Sequence, residues 1–341
     1  MSLTNISIVI PVYNGGDAFY KCLVSIEKSL RSPDEVIVVS DGSTDGSWQL
    51  AQDLGATVLR LPSQGGPARA RNIGAKSAQG DIVFFMDADV ALHPKTLTLV
   101  EQRFQEQSAL AALIGSYDDA PGADNFLSQY KNLFHHYTHQ ISSENASTFW
   151  GACGAIRRSV FLAVGGFDEH YTKPCIEDIE LGYRLKQMGY DIRLDKAIQV
   201  KHWKRWEPLS LIKAEIFYRA LPWTALILSE QRFEADLNLS YANRLSVMGV
   251  FGLIITSLAG FFFAWIWWLS VAIALGLLLI NINVYRFFYA KRGLLFTLRV
   301  IPWHWFYFFY GGSTFAYVFI QHYLGRFLRL SVPTLDVRRS R

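Results

Sequence analysis

Between Arg244 and Arg286 lie 41 residues without a single Lys, Arg, Asp or Glu. One crossing of a bilayer's hydrocarbon core takes about 20 apolar residues. The stretch is therefore sized for a hairpin of two spans, near 246–264 and 266–284, turning around residues 260–268. Trp265, Trp267 and Trp268 fit an aromatic belt at the far interface. Charge is distributed around this segment unevenly. From Tyr241 to Arg341 there are ten Lys/Arg and one acid, Asp336, a net of +9, whereas the first 240 residues carry 23 basic and 28 acidic side chains, a net of −5. A basic, apolar back half suits anionic lipid, and the acidic front half makes nucleic acid an unexpected partner.

A second uncharged stretch runs from Val300 to Gly325. As a third span it would leave Arg326, Arg329, Arg338, Arg339 and Arg341 outside, against the positive-inside tendency; an interfacial or re-entrant helix keeps them inside and is preferred. Residues 208–230 mix Leu209, Leu211, Ile212, Ile216 and Phe217 with Lys213, Glu215 and Arg219. They read as an amphipathic helix on the bilayer, broken near Pro222. Four segments follow: 1–207, an interfacial 208–240, a transmembrane hairpin 241–290, and a membrane-associated 291–341 with a basic tail.

The front half alternates short apolar runs with helical patterns. Ile6–Ile10, Glu35–Val39, Thr57–Leu61 and Ile82–Met86 read as strands, with helices near 17–31, 46–54, 67–78 and 94–107. That is an α/β chain of βαβ units with a mostly parallel sheet, whose ligand sites lie beyond the carboxyl ends of the strands. Polar residues gather there: Tyr13, Asn14, Asp41, Asp87 and Asp89. From 111 to 207 the pattern weakens, apart from a helix at 125–140. Its stripe of Phe126, Tyr130, Phe134 and Tyr137 either packs on the domain or faces an acceptor or the membrane; its His135, His136 and His139 diverge too far for a three-His metal site. Three widely spaced cysteines show no disulfide or zinc pattern. The chain starts on a strand with no charged and apolar leader, so the front half is expected in the cytoplasm with reduced thiols.

Asp87-Ala88-Asp89 follows an apolar strand directly, and alternation would point both carboxylates the same way. Such a pair suits a hard divalent cation that also binds phosphate oxygens; alone, it equally suits a solvated turn. An earlier strand also ends in an acidic turn, Asp41 to Asp45, with Arg69 and Arg71 between. Glu177-Asp178 opens a helical segment. Acids there are favoured by the helix dipole and also make a positioned general base.

In order, Pro11-Val12-Tyr13-Asn14, Ser40-Asp41-Gly42-Ser43-Thr44-Asp45-Gly46, Ala70-Arg71-Asn72-Ile73-Gly74, Asp87-Ala88-Asp89, Gly165-Gly166-Phe167-Asp168-Glu169 and Glu177-Asp178 resemble the motifs of the family 2 glycosyltransferases, over about residues 5–206. The resemblance is to membrane-bound bacterial members. It implies a Rossmann-like GT-A catalytic domain, a nucleotide-sugar donor (a UDP-sugar favoured) and a divalent metal, Mg2+ or Mn2+. It implies that Pro11 and Tyr13 line the base pocket, with Tyr13 stacking on the base, and that Asp41 accepts a hydrogen bond from the base ring. Ser40 stands where the family often has a further Asp. Arg71 would lie near the nucleotide, Asp87 at the ribose and metal, and Asp89 on the metal. Asp178 would be the catalytic base, with Glu177 supporting it, and Gly151 would sit beside the donor sugar. His202 is either a further metal ligand or an interfacial residue beside Trp203 and Trp206. Lys204-Arg205-Trp206 is similar to the basic-aromatic motif of processive synthases, but Gln199 is off its offset and few spans are available, so no translocating pore is expected.

The activity implied is an inverting hexosyl-type transfer to a hydroxyl of a lipid-linked acceptor at the inner membrane, from a multi-pass protein with its catalytic domain on the cytoplasmic side. Transfer to polyprenyl phosphate is the alternative, and a silent membrane scaffold a more distant one. A nucleotidyltransferase would need a basic Gly-rich loop after the first strand, where the chain reads Pro11 to Asp17 without one.

Overall fold

The structure is a computed structural model that describes residues 4–230 and 240–328. It divides into two units at Glu207/Pro208. In the first, eight strands form one sheet in the order β3-β2-β1-β4-β7-β6-β8-β5. These are β1 (Ile6–Val12), β2 (Glu35–Asp41), β3 (Thr57–Leu61), β4 (Ile82–Met86), β5 (Val90–Leu92), β6 (Ala112–Tyr117), β7 (Cys153–Arg157) and β8 (Ile192–His202). The first four are parallel; β7 enters antiparallel beside β4, and β8 runs parallel to β6.

Strand alternation divides the core between the two sheet faces. Ile6, Ile8, Ile10 and Phe84 join a cluster with Phe19, Leu97 and Val100. Val9 and Phe85 turn to the other side, among Phe149, Phe161, Phe167 and Leu181. The crossover helices are α1 (Gly16–Glu27), α2 (Ser47–Asp53), α3 (Pro67–Ser77) and α4 (Thr96–Glu106). Pro67 stands in the first turn of α3, where a missing N–H costs nothing. Next come α5 (Phe126–Ile141), which packs along β6 and β8, then α6 (Arg158–Ala163) and α7 (Glu177–Gln187).

In the second unit, α8 (Pro208–Lys213), a π-helical stretch (Ala214–Ala220) and α9 (Leu221–Glu230) make one helical path. The expected break at Pro222 is absent. Pro222 sits in the first turn of α9, where no donor is required, and the wider π turn ahead of it absorbs the change of register. Within the π stretch Glu215 is buried, accepting from Arg219 at 3.2 Å and from the Tyr310 hydroxyl at 3.0 Å.

The apolar hairpin consists of α10 (Tyr241–Gly260) and α11 (Ile266–Ile280). Thr256 and Ser270 are bonded across it at 2.9 Å, as are Ser246 and Asn281. Only α10 is by itself long and apolar enough to cross a membrane among the described residues. The second arm is shorter than the sequence suggested. Its 15 residues rise about 22 Å against a core of about 30 Å. It stops because Asn281 turns its amide back onto Leu277 O and Ser246, and the chain bends by 65° into Ile282–Arg292. The last helix, α12 (Ile282–Leu328), is interrupted at Gly293 (φ 78°) and then runs through Pro302 and the whole of 300–325. Arg329, Arg338, Arg339 and Arg341, and the end of the 208–240 segment, lie outside the described residues.

Candidate active site

The polar ends of the parallel strands meet at one edge of the sheet. Beyond β1, Asn14 takes a left-handed turn (φ 51°), and its Oδ1 accepts the Thr44 N–H at 2.8 Å. Ser43 Oγ accepts the Asn14 N–H, and Asp45 accepts the Gly16 N–H. The loops after β1 and β2 are thus tied together, leaving the Tyr13 ring 49% exposed beside the half-buried Pro11.

Asp41 has backbone partners that the sequence did not show. It is buried, and its two oxygens accept the N–H groups of Gly65 and Gly66, each at 2.8 Å. Gly66 has φ 95°, and a Cβ there would lie 2.5 Å from Thr172 backbone atoms, so this turn into α3 admits no side chain. Asp41 therefore anchors the loop that starts α3.

That helix carries Arg71, which is buried. Its Nη2 donates to Asp87 Oδ1 at 2.6 Å and its Nη1 to Glu177 Oε1 at 2.8 Å. Burial alone would lower the guanidinium pKa; Asp87, Glu177 and Asp178 outweigh it and hold Arg71 above its ordinary value. Each terminal nitrogen thus donates one hydrogen bond to a carboxylate of the protein. Glu177 faces Arg71 and accepts the Cys175 N–H, so any support it gives Asp178 passes through the start of α7. Asn72, the next residue of α3, holds the Gly165–Glu169 loop through Phe167 N–H and O and the Glu169 carboxylate.

Asp178 lies in the first turn of α7 with Glu177 and Glu180, where the helix dipole favours carboxylates. Its Oδ2 accepts the Gly151 N–H at 3.1 Å, and its Oδ1 the Ile179 N–H at 2.8 Å. A Cβ on Gly151 would stand 3.0 Å from the Arg71 guanidinium carbon. Gly151 thus lies against both Arg71 and Asp178.

The Asp-x-Asp pair does not follow strand alternation. β4 ends at Met86, and the chain turns at once, with Val90 N–H on Asp87 O. Asp87 goes to Arg71, with its side chain about a third exposed. Asp89 faces His202, with Oδ1 3.7 Å from Nε2, and Lys204 Nζ is 4.0 Å from its Oδ2. His202 is buried at the end of β8, stacked on Tyr117 (centroids 4.2 Å apart) with Nδ1 3.0 Å from Asn132 Oδ1. It is therefore not an interfacial residue. Among the described residues no three His, Cys, Asp or Glu side chains form a complete chelate. Two ligand atoms facing one another do fit a hard cation that takes its remaining ligands from substrate phosphates. On α5, Tyr130 and Phe134 are buried, so that stripe packs on the domain. His136 and His139 bond to the carbonyls of Tyr117 and Gly115, and His135 lies against Trp150. Cys153 is buried, and burial pushes its thiol up to about 12.

Residues 7–165 match the family model for glycosyl transferase family 2. This part of the chain is a family 2 glycosyltransferase domain. It is a glycosyltransferase with a GT-A fold. It is 34% identical over 117 residues to the glycosyltransferase GlyG of Streptococcus pneumoniae, covering 33% of this chain and 38% of that protein. It is 26% identical over 238 residues to the O-antigen chain rhamnosyltransferase RfbN of Salmonella typhimurium, covering 64% of this chain and 74% of RfbN. The chain thus spans well under half of one such relative and about three quarters of the other. A mannosyltransferase from Pyrobaculum calidifontis, solved in complex with GDP-Man and Mn2+, shares the fold over 94% of this chain and 87% of its own, with a TM-score of 0.55 at 16% identity.

The sequence motifs named most of the polar residues at this edge but missed Asn132 and Tyr117. Asn132 had one signal: a polar residue on the buried face of a helix whose other inward positions include Leu133 and Phe134.

Proposed function

We propose that this glycosyltransferase moves a sugar from a nucleotide-sugar to a hydroxyl of a lipid-linked acceptor during cell-envelope glycan synthesis, with inversion and with a divalent metal. The observation that carries this reading is the Arg71 bridge. One side chain binds Asp87 of the Asp-x-Asp turn and Glu177 of the Glu-Asp pair, so the two acidic motifs flank one space. Tyr13 and Pro11 receive the base, and the loop held by Asp41 closes its side. Asp89 and His202, with Asp87, would hold Mg2+ or Mn2+, which would supply charge stabilisation for the leaving diphosphate. Asp178, steadied by the Gly151 amide, takes the proton of the acceptor hydroxyl as it attacks the anomeric carbon. Attack from the face opposite the leaving group inverts that carbon.

The O-antigen rhamnosyltransferases among its relatives support an envelope acceptor. The Pyrobaculum enzyme with GDP-Man and Mn2+ supports a nucleotide-sugar and a divalent cation. UDP-sugars remain the favoured donors. Residues 1–207 are the catalytic domain and 208–240 an interfacial segment. The hairpin at 241–290 and the segment 291–341, membrane-associated or a third span with a basic tail, belong to the inner membrane. Arg244, Arg286, Lys291 and Arg292 mark its cytoplasmic edge, on the same side as the catalytic domain.

Membranes containing the chain, supplied with a panel of labelled UDP-, GDP- and dTDP-sugars and MnCl2, should put label into extracted lipid with one donor and lose it with chelator. No lipid-phase product with any donor would overturn the proposal.

A further inference from the structure

The helix α5 reaches the Asp-x-Asp turn through one residue, Asn132, and its hydrogen bonds determine the state of His202. Asn132 Nδ2 donates to the backbone carbonyl of Asp118 at 3.2 Å. A carbonyl only accepts, so the amide cannot be turned around, and Oδ1 must face His202. Oδ1 lies 3.0 Å from His202 Nδ1 and is itself only an acceptor, which puts the hydrogen on Nδ1. In the neutral imidazole the bare lone pair is then on Nε2. Ring rotation is blocked by Tyr117, stacked at 4.2 Å and 6°. The backbones on either side are fixed as well: Trp203 N–H donates to Asp89 O at 2.8 Å, and Val90 pairs with His202 in the sheet.

Nε2 lies 3.7 Å from Asp89 Oδ1, beyond hydrogen-bond distance. Two atoms each about 2.1 Å from one cation, at an angle of 90–120°, are about 3.0–3.6 Å apart. The observed gap exceeds that range, so the two side chains would have to draw together on a bound cation.

We propose that Asn132 is a positioning residue for metal binding: it locks His202 in the Nδ1–H tautomer and aims Nε2 at the cation held by Asp89. The inference rests on the reading of Asp89 and His202 as metal ligands. It adds a role for an α5 residue that touches neither metal nor donor. Partners of this kind affect metal affinity by about 10–100-fold.

The test is Mn2+ affinity of the purified full-length chain in detergent, read from free Mn2+ by electron paramagnetic resonance, with UDP and separately with GDP present. Asn132→Leu should weaken Mn2+ binding by about 10-fold or more, while Asn132→Asp, which still accepts from Nδ1–H, should stay much nearer the wild type. Nitrogen-15 spectra should show His202 protonated at Nδ1, with the resonance identified by its loss in His202→Gln. Unchanged Mn2+ affinity in folded Asn132→Leu overturns the inference, as does His202 protonated at Nε2. If Asn132→Leu does not fold, Asn132→Asp decides: retained affinity supports the assignment and lost affinity overturns it. A wild-type chain that binds no Mn2+ with either nucleotide defeats the metal reading before any Asn132 variant is made, so the two failures are distinguishable.

Discussion

Arg71 Nη1 lies 2.8 Å from Glu177 Oε1, a contact between residues 106 positions apart whose side chains are each only 5% exposed. Removing one partner of such a pair leaves a buried charge alone, at a cost of about 3–5 kcal/mol, more than the pair itself contributes. Arg71→Met should therefore lower the thermal unfolding midpoint of the detergent-solubilised chain substantially. Adding Glu177→Gln to it should recover part of the loss, because the more buried of the two stranded carboxylates is then neutral, Asp87 remaining partly exposed. Additive losses in the double variant would show that the two residues are not coupled.

Asp178 accepts two backbone N–H groups, from Gly151 and Ile179, so its carboxylate is oriented before any acceptor arrives. Asp178→Asn keeps the shape and removes the basicity. Turnover should fall by about 10²–10⁴-fold, the usual contribution of a general base. Nucleotide affinity should change little, because the side chain acts on the acceptor. The ratio of sugar transfer to nucleotide binding in the variant checks this. Near-normal turnover would favour a phosphate acceptor, which is already ionised and needs no base.

His139 gives a pH dependence of known sign. Burial pushes its imidazole down to about 4, helped by His136 and opposed by a bond to Gly115 O. In the unfolded chain it would titrate near the usual 6.5. Between those values the unfolded state binds the extra proton, so stability is full above about 6.5 and falls as pH drops towards 4. The loss from this group amounts to roughly 3 kcal/mol. Unfolding midpoints measured from pH 7 to 4.5 should decline, and His139→Gln should flatten the slope over that window.

The strand Ile82–Met86 was legible because it is buried along its whole length and reads as an unbroken apolar run. The later strands gave little signal. Cys153–Arg157 contains a glycine and no long apolar run, and its place beside β4 comes from antiparallel register, which local pattern does not carry. At the site, the sequence supplied the residue types but not their pairings. Alternation failed for Asp87 and Asp89 because β4 ends at Met86, before either of them. That Arg71 joins Asp87 to Glu177 was not legible, since a sequence shows a charge but not its burial. In the membrane unit, composition marked the apolar hairpin; the halt at Asn281 depends on a hydrogen bond to Ser246, 35 residues away.

Asp41 separates two kinds of nucleotide recognition. A carboxylate that contacts the base ring selects among bases, whereas one that holds Gly65 and Gly66 shapes a loop shared by every donor. Each charge-assisted bond to a backbone amide is worth about 1.5–3 kcal/mol, so Asp41→Ala loses roughly 3 kcal/mol of loop stabilisation. The loop leads directly into α3, and its displacement would carry Arg71 with it. UDP and GDP affinities measured by calorimetry should therefore both weaken, by about tenfold or more, with their ratio nearly unchanged. A ratio that shifts by about tenfold while one nucleotide binds normally would return Asp41 to direct contact with the base.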